Sequence, residues 1–330
     1  MQRKLVAALA ASVALVGLAG CAPQEGAGEE NSIVVYAGRS EALVQPLIDQ
    51  FVEETGIEVE VRYAGSAELA AQLLEEGENS PANVFFAQDA GALGAVSKAG
   101  LLTELPDEIF GLVPADYSAK DKTWIGVSGR VRVMVYDPAK VTDIPQSVFD
   151  LAGLEWQGRI GIAPTNASFQ AFVTAMRVVY GDDATLQWLQ AMKQNAVIYE
   201  KNGAILEAVE AGQVDAGLIN HYYWFARGLE QENKSRLAQF AGADIGNLIN
   251  AAGVGIVNDS SAAREFVSYL LSPTGQNYFA TETQEYPLVR GLEPAEGLTP
   301  LNQIPAPEFD LNDLDALEGT LDLIRAAGLI

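Results

Sequence analysis

The chain of 330 residues has one cysteine, Cys21, and one histidine, His221. A single cysteine forbids an internal disulfide, so the fold must be held by its core. It also excludes cysteine-rich zinc sites and cysteine–histidine nucleophilic pairs in the folded body. One histidine rules out a histidine metal triad. Basic residues are scarce, 20 against 44 acidic ones, for a net charge of −24. Such a surface argues against nucleic-acid partners and against a basic membrane-binding face. There is no phosphate-binding P-loop and no G-x-G-x-x-G. Gly126-Val127-Ser128-Gly129 is not the G-x-S-x-G of a nucleophile elbow. Carboxylates are plentiful, but no pair is marked for acid–base work. Nothing here favours an enzyme, and a secreted α/β hydrolase would need a nucleophile and base that the chain does not set out.

What is present begins at the first residues. Arg3 and Lys4 precede an apolar, uncharged run from Leu5 to Ala19, too short to span a membrane. Leu18-Ala19-Gly20-Cys21 then reads as a bacterial lipobox. Residues 1–20 are expected to be a signal peptide and Cys21 the lipidated residue. Residues 21–32 form a small, polar, acidic tether that lets the body stand off the membrane. The expected location is extracytoplasmic, lipid-anchored to the cell membrane. Removing residues 1–20 takes two basic residues and no acid, so the mature chain is more acidic still.

About 300 residues remain, more than one core usually carries, so two lobes are expected. Strand and helix patterns alternate from Ile33 to Lys98, in the manner of a parallel sheet with helices on both faces. Residues 124–136 form a long stretch that suggests a strand crossing between lobes. The alternation restarts at Arg159 and runs to Ile219. A glycine-containing strand is expected at 250–257, and one closing helix at 311–327. Helices are expected at 169–180 and 184–194. The expected fold is α/β with two lobes, hinge crossovers and an interlobe cleft. Lobe 1 takes 33–128 plus about 253–303, and lobe 2 takes 129–252 plus about 304–330. Ligands of open α/β sheets bind beyond the carboxyl ends of the strands. That places Tyr36–Ser40, Phe86–Asp89, Ala163–Ser168 and Asn220–Tyr223 around one cleft.

The informative run is Asn220-His221-Tyr222-Tyr223-Trp224-Phe225. On a continuing strand the two tyrosines would face opposite ways. If the strand ends at Asn220 and a helix begins near Tyr222, both phenols lean toward one point. Two phenolates suit a hard trivalent cation, whose charge displaces the phenol proton. His221 is expected to point away into a packed or solvated spot.

Asn202 and Asp215 to Trp224 resemble the bacterial ferric-ion-binding periplasmic proteins, a family of the type II periplasmic-binding-protein fold. Tyr36 to Arg39, Val84 to Leu93, Gly126 to Arg132, Asn250 to Gly255, Leu271 to Gln276 and Glu285 to Val289 resemble further landmarks in order. The resemblance covers nearly the whole mature chain. It implies ferric ion as the transported ligand, held by Tyr222 and Tyr223, with carbonate or phosphate as a synergistic anion. It places Asn202, Asn220, Asn166, Ala167 and Ser168 near that anion, with charge from Arg130 or Arg132. Arg39 and Ser40 fall in the first cleft turn, and Gln88 or Asp89 is a possible further ligand. At three places the chain departs from family patterns: Ser40 stands for a histidine, Gln88 for a glutamate and Asn166 for a tyrosine. The implied partners are an ABC permease and its ATPase, with the binding protein acting as a monomer. The other reading within this architecture is a carrier of an organic cation, a phosphonate or another oxyanion.

Overall fold

The computed structural model describes residues 31–227 and 233–330. The expected signal peptide, Cys21 and most of the expected tether lie outside the described residues. In chain order the elements are β1 (Ser32–Ala37), α1 (Glu41–Thr55), β2 (Glu58–Tyr63), α2 (Ser66–Glu76), β3 (Val84–Ala87), α3 (Ala90–Lys98), a one-turn α4 (Asp107–Phe110) and β4 (Trp124–Tyr136). They continue as β5 (Ile160–Ile162), α5 (Ala167–Asn195), β6 (Ala196–Ile198), α6 (Asn202–Glu210), β7 (Ala216–Asn220), α7 (His221–Phe225) and β8 (Arg236–Ala238). Last come β9 (Ile249–Ile256), α8 (Ser261–Leu270), α9 (Pro273–Thr281), β10 (Tyr286–Pro287) and α10 (Leu317–Ala326). No helix among the described residues is long and apolar enough to cross a membrane.

The strands follow the order β2-β1-β3-β9-β4-β7-β5-β6, with β8 and β10 also paired to β4. Pairing is parallel in β2-β1-β3 and in β6-β5-β7. It turns antiparallel at β3·β9, β9·β4, β4·β7 and β4·β8. The parallel sheet expected from the alternation therefore holds for the outer strands of each lobe and fails where the long strands β4 and β9 enter. The thirteen-residue β4 serves both lobes, its first half in the lobe 1 sheet and its second in the lobe 2 sheet.

Residue character follows position. Central β3 (VFFA) is buried throughout, because both faces are covered. Edge strand β2 alternates, with Glu58 and Glu60 turned to solvent. The lobe 1 core includes Phe51, set edge-on to Phe266 and Tyr269. The lobe 2 core stacks Phe169 on Trp188, with Phe172 edge-on. Each such aromatic, fully buried, stabilises by roughly 1.5–3 kcal/mol.

β4 carries the functional geometry. Its register with β9 shifts between Gly126 and Ser128, leaving Val127 as the extra residue of a bulge. A Cβ at Gly126 and one at Gly129 would both run into Leu288. The two glycines thus share a face although three residues apart, so the bulge inverts the alternation. Beyond it Gly129, Val131 and Val133 face Leu288 and the second apolar cluster. Ser128, Arg130 and Arg132 face the opposite way.

The two helices expected at 169–180 and 184–194 are present, meeting within α5 at non-helical Gly181 (φ 82°, ψ 166°). One expectation needed revision in detail. The single helix expected over 311–327 is a 310 turn at Leu311–Asp315 followed, after non-helical Ala316, by α10. The turn packs on α3 and α10 packs on α5, so the closing segment touches elements of both lobes.

Candidate functional site

The ends of β1, β3, β5, β6 and β7 converge, as the strand-end rule anticipates. β1 ends at Gly38, whose hypothetical Cβ would sit 2.2 Å from Ser66 Oγ. Only glycine allows that approach. Ser66 Oγ donates to the Gly38 carbonyl (3.2 Å) and accepts from Gln88 N–H (2.8 Å), tying the two strand ends together. The next residue, Arg39, turns inward and donates to Glu285 Oε2 at 2.6 Å, in an ion pair almost wholly removed from solvent. Glu285 also accepts from Ser128 Oγ (3.0 Å) and Thr283 Oγ1 (3.2 Å). Burial alone would raise the Glu285 pKa, but Arg39 and Arg130 outweigh it and hold the carboxyl below its ordinary range.

In lobe 2, β7 stops at Asn220 and the one-turn α7 starts at His221. That break lets both phenols face one way. The Tyr222 and Tyr223 rings stack with centroids 4.4 Å apart at 27°. Tyr222 is 5% exposed. Burial, and then Tyr223, push its phenol well above the usual range, while Arg130 and Arg39 pull the other way.

The guanidinium of Arg130 is the anomaly of the site. It is 1% exposed, and among the described residues Nε, Nη1 and Nη2 find no hydrogen-bond partner. Burial, and then neighbouring Arg39, lower its pKa, and only the attractions of Tyr222, Glu285 and Asp89 oppose them. Arg132 donates to Ser168 Oγ (3.3 Å) and to the Leu218 carbonyl (3.2 Å), leaving Nε unpartnered. It lies 5.6 Å over Phe169 and 5.5 Å over Phe172, and burial brings its pKa down to about 9. Asn202 Nδ2 donates to Ser168 Oγ at 3.1 Å, and Asn166 caps α5 by accepting from Ser168 N–H at 3.0 Å. Asn202 Oδ1, Asn220 Nδ2 and Asn250 Nδ2 are buried without partners. A buried unpaired polar atom costs about 1–3 kcal/mol and an unpaired charge several times more. Apart from the acceptor Asn202 Oδ1, these orphaned atoms are donors, a set chemically suited to an acceptor-rich group.

Asp89 caps α3 through the Ala92 N–H at 3.0 Å. Burial raises its pKa against the pull of Arg130. Ala167 and Asp89 line a residual cavity of about 10 Å³ between the lobes. Two residues stand apart: Ser40 is exposed at the head of α1 and makes no capping bond, and half-buried Gln88 binds Ser66 through its main chain. His221 turns away from the phenols' side, with Val131 N–H on Nδ1 (3.1 Å) and Nε2 on the Gln284 carbonyl (2.9 Å). Burial takes its pKa down to about 4. Among the described residues, no three histidine, cysteine, aspartate or glutamate side chains gather as a metal cage. Sequence reasoning missed the ion-pair role of Glu285. Its partner is 246 residues away and no local pattern marks it.

Two α/β lobes sharing long strands, closed on a buried polar cleft, define a solute-binding protein of the type II architecture. The chain belongs to the bacterial extracellular solute-binding proteins, whose family profile matches residues 33–282, and among them to the ferric-ion-binding periplasmic proteins. It is 36% identical over 315 residues to the Fe(3+)-binding periplasmic protein of Serratia marcescens, covering 93% of each chain. Iron-bound HitA from Pseudomonas aeruginosa superposes with a TM-score of 0.86 at 34% identity, over 90% of this chain and 99% of that one. A Trichodesmium protein in complex with iron and citrate gives 0.76 at 28%, over 90% and 99%. These are binding proteins and not enzymes, and the chain is of the same kind.

Proposed function

We propose that the chain captures ferric ion between Tyr222 and Tyr223 together with an anion, and hands it to an ABC permease and its ATPase. The observation that carries this reading is the stacked phenol pair beside Arg130, a buried guanidinium with three unpartnered nitrogens. Alone, Tyr222 keeps its proton. A trivalent cation replaces that proton and stabilises the phenolate. The anion, carbonate or phosphate, supplies acceptors for Arg130, Arg132 and the amides of Asn220 and Asn250, and the N-terminus of α5 adds main-chain donors. Asp89 is already engaged as the cap of α3. We therefore assign the metal to the two phenols, with the anion and water completing its shell.

Lobe closure is then the capture step and release follows docking. The cleft divides lobe 1 (33–128 plus about 253–303) from lobe 2 (129–252 plus about 304–330). Cys21, lipidated, anchors a monomer to the membrane through residues 22–32. A second reading, an oxyanion or phosphonate carrier without metal, is favoured by the same unpaired guanidinium nitrogens. An organic cation is disfavoured by them.

A visible-absorption titration of residues 33–330 with ferric citrate, in bicarbonate and then phosphate buffer, separates these. A saturable tyrosinate-to-iron band, lost in Tyr222→Phe and Tyr223→Phe, supports the ferric reading. Phosphate binding with no band in either buffer supports the oxyanion reading.

A further inference from the structure

We infer that His221 is a positioning residue that locks the phenol pair to the cleft's arginines and to Glu285 at once. The sheet has a gap beside β4. One edge of β4 pairs with β9 through residues 124–131. The other edge pairs with β10 at Ser128 and Gly129 and with β7 from Arg132 onward. Between them, at residues 130 and 131, that second edge has no strand. Arg132 N–H points to the β9 side, to the Leu248 carbonyl at 2.9 Å. By alternation Val131 N–H points into the gap. His221 Nδ1 is its acceptor at 3.1 Å.

That bond fixes the tautomer. Val131 N–H can only donate, so Nδ1 carries no proton and Nε2–H donates to the Gln284 carbonyl at 2.9 Å. Gln284 is one of two described non-glycine residues with positive φ, 57°, a turn that precedes Glu285. The ring lies 4.8 Å from Tyr286 and edge-on to Tyr222 at 5.9 Å and 90°. The neighbours of each contact matter most. His221 directly precedes Tyr222 and Tyr223. Val131 lies between Arg130 and Arg132. Gln284 directly precedes Glu285, the partner of Arg39. One imidazole therefore joins three chain segments, each adjoining a group of the site. With both nitrogens used, it is not itself a metal ligand.

This inference rests on the ferric reading, and its test keeps the two apart. His221→Asn keeps an acceptor near the Nδ1 position, His221→Gln keeps a donor near Nε2, and His221→Leu keeps neither. Circular dichroism and thermal melts identify the variants that fold. On those, the tyrosinate–iron band and the rate of iron loss to a chelator are measured. Residues that orient metal ligands typically change metal affinity roughly 10–100-fold when replaced. We expect His221→Leu to shift the band and speed iron loss by roughly that factor, with His221→Asn recovering part of both. Folded variants with the wild-type band and release rate would overturn the inference. If His221→Leu fails to fold, the Asn and Gln variants decide by the same criteria. If wild type shows no band, the ferric reading fails, and calorimetry with inorganic phosphate reads the arginines directly. Weaker phosphate binding in the variants then supports positioning, and equal binding refutes it.

Discussion

Replacing Arg130 with methionine should close the empty protein. In the arrangement described here the guanidinium is 1% exposed and none of its nitrogens has a partner. With the lobes apart, water solvates it. Closing on nothing therefore strips a charge of its hydration, and a buried unpaired ion costs several kcal/mol even after relaxation. Glu285 and Asp89 return part of that by attraction. A net penalty of about 3 kcal/mol corresponds to roughly 150-fold in favour of the open state. Methionine has similar length and no charge, so Arg130→Met removes the penalty along with the anion's main partner. Small-angle scattering of residues 33–330 tests this. The metal-free, anion-free variant should have the smaller radius of gyration that wild type reaches only when loaded. Adding phosphate should leave the variant unchanged. If the empty variant and empty wild type scatter alike, both wider than loaded wild type, then Arg130 does not hold the empty cleft open.

Glu285 supplies a pH dependence. Its folded pKa lies below the ordinary value of 4.5, so its stabilisation is complete above that value and is lost as pH falls through the folded one. Urea melts should show Glu285→Gln losing less stability than wild type between pH 5 and 3. At pH 7, Glu285→Ala leaves buried Arg39 unpaired and should cost roughly 3–5 kcal/mol by the same melts. Gly91→Ala would place a Cβ 2.6 Å from the Leu314 carbonyl, forcing the 310 turn off α3. It should cost about 1–3 kcal/mol in thermal melts, whereas Gly203→Ala, whose Cβ would make only ordinary contact with the Tyr223 ring at 3.8 Å, should stay near wild type.

The local elements were legible because each lobe repeats strand and helix with clean apolar spacing. The β7–α7 junction was open at the level of the residues, which allow a continuing strand as well as a helix from Tyr222, and only the resemblance favoured both phenols on one side. The break at Ala316 was hidden because Leu314 and Leu317 stand three apart, a spacing that serves one helix or two separate turns equally. The two-residue β10 is too short for any period to show. The Arg39–Glu285 pair joins opposite ends of the chain. The unpaired state of Arg130 is a property of its surroundings, so no reading of neighbouring letters contains it. Ser40 and Arg39 are neighbours in the first turn, yet that turn buries Arg39 and leaves Ser40 exposed, a difference that no residue pattern marks.

The bulge at Val127 makes β4 a strand with two phases. Ahead of it even-numbered glycine Gly126 meets Leu288, and after it odd-numbered Gly129 does. Deleting Val127 would only straighten the strand, since Gly126, Ser128 and Gly129 already alternate, but deleting Gly129 with the bulge kept would turn everything beyond it over. Val131 and Val133 would enter the polar cleft, and Arg130 and Arg132 would be driven against Ile205, Ile219 and Tyr286. An insertion of the same size in the loop after β4 changes no such parity. Tolerance to length change in this protein is therefore a matter of counting modulo two, strict along the shared strand and lax a few residues beyond its end.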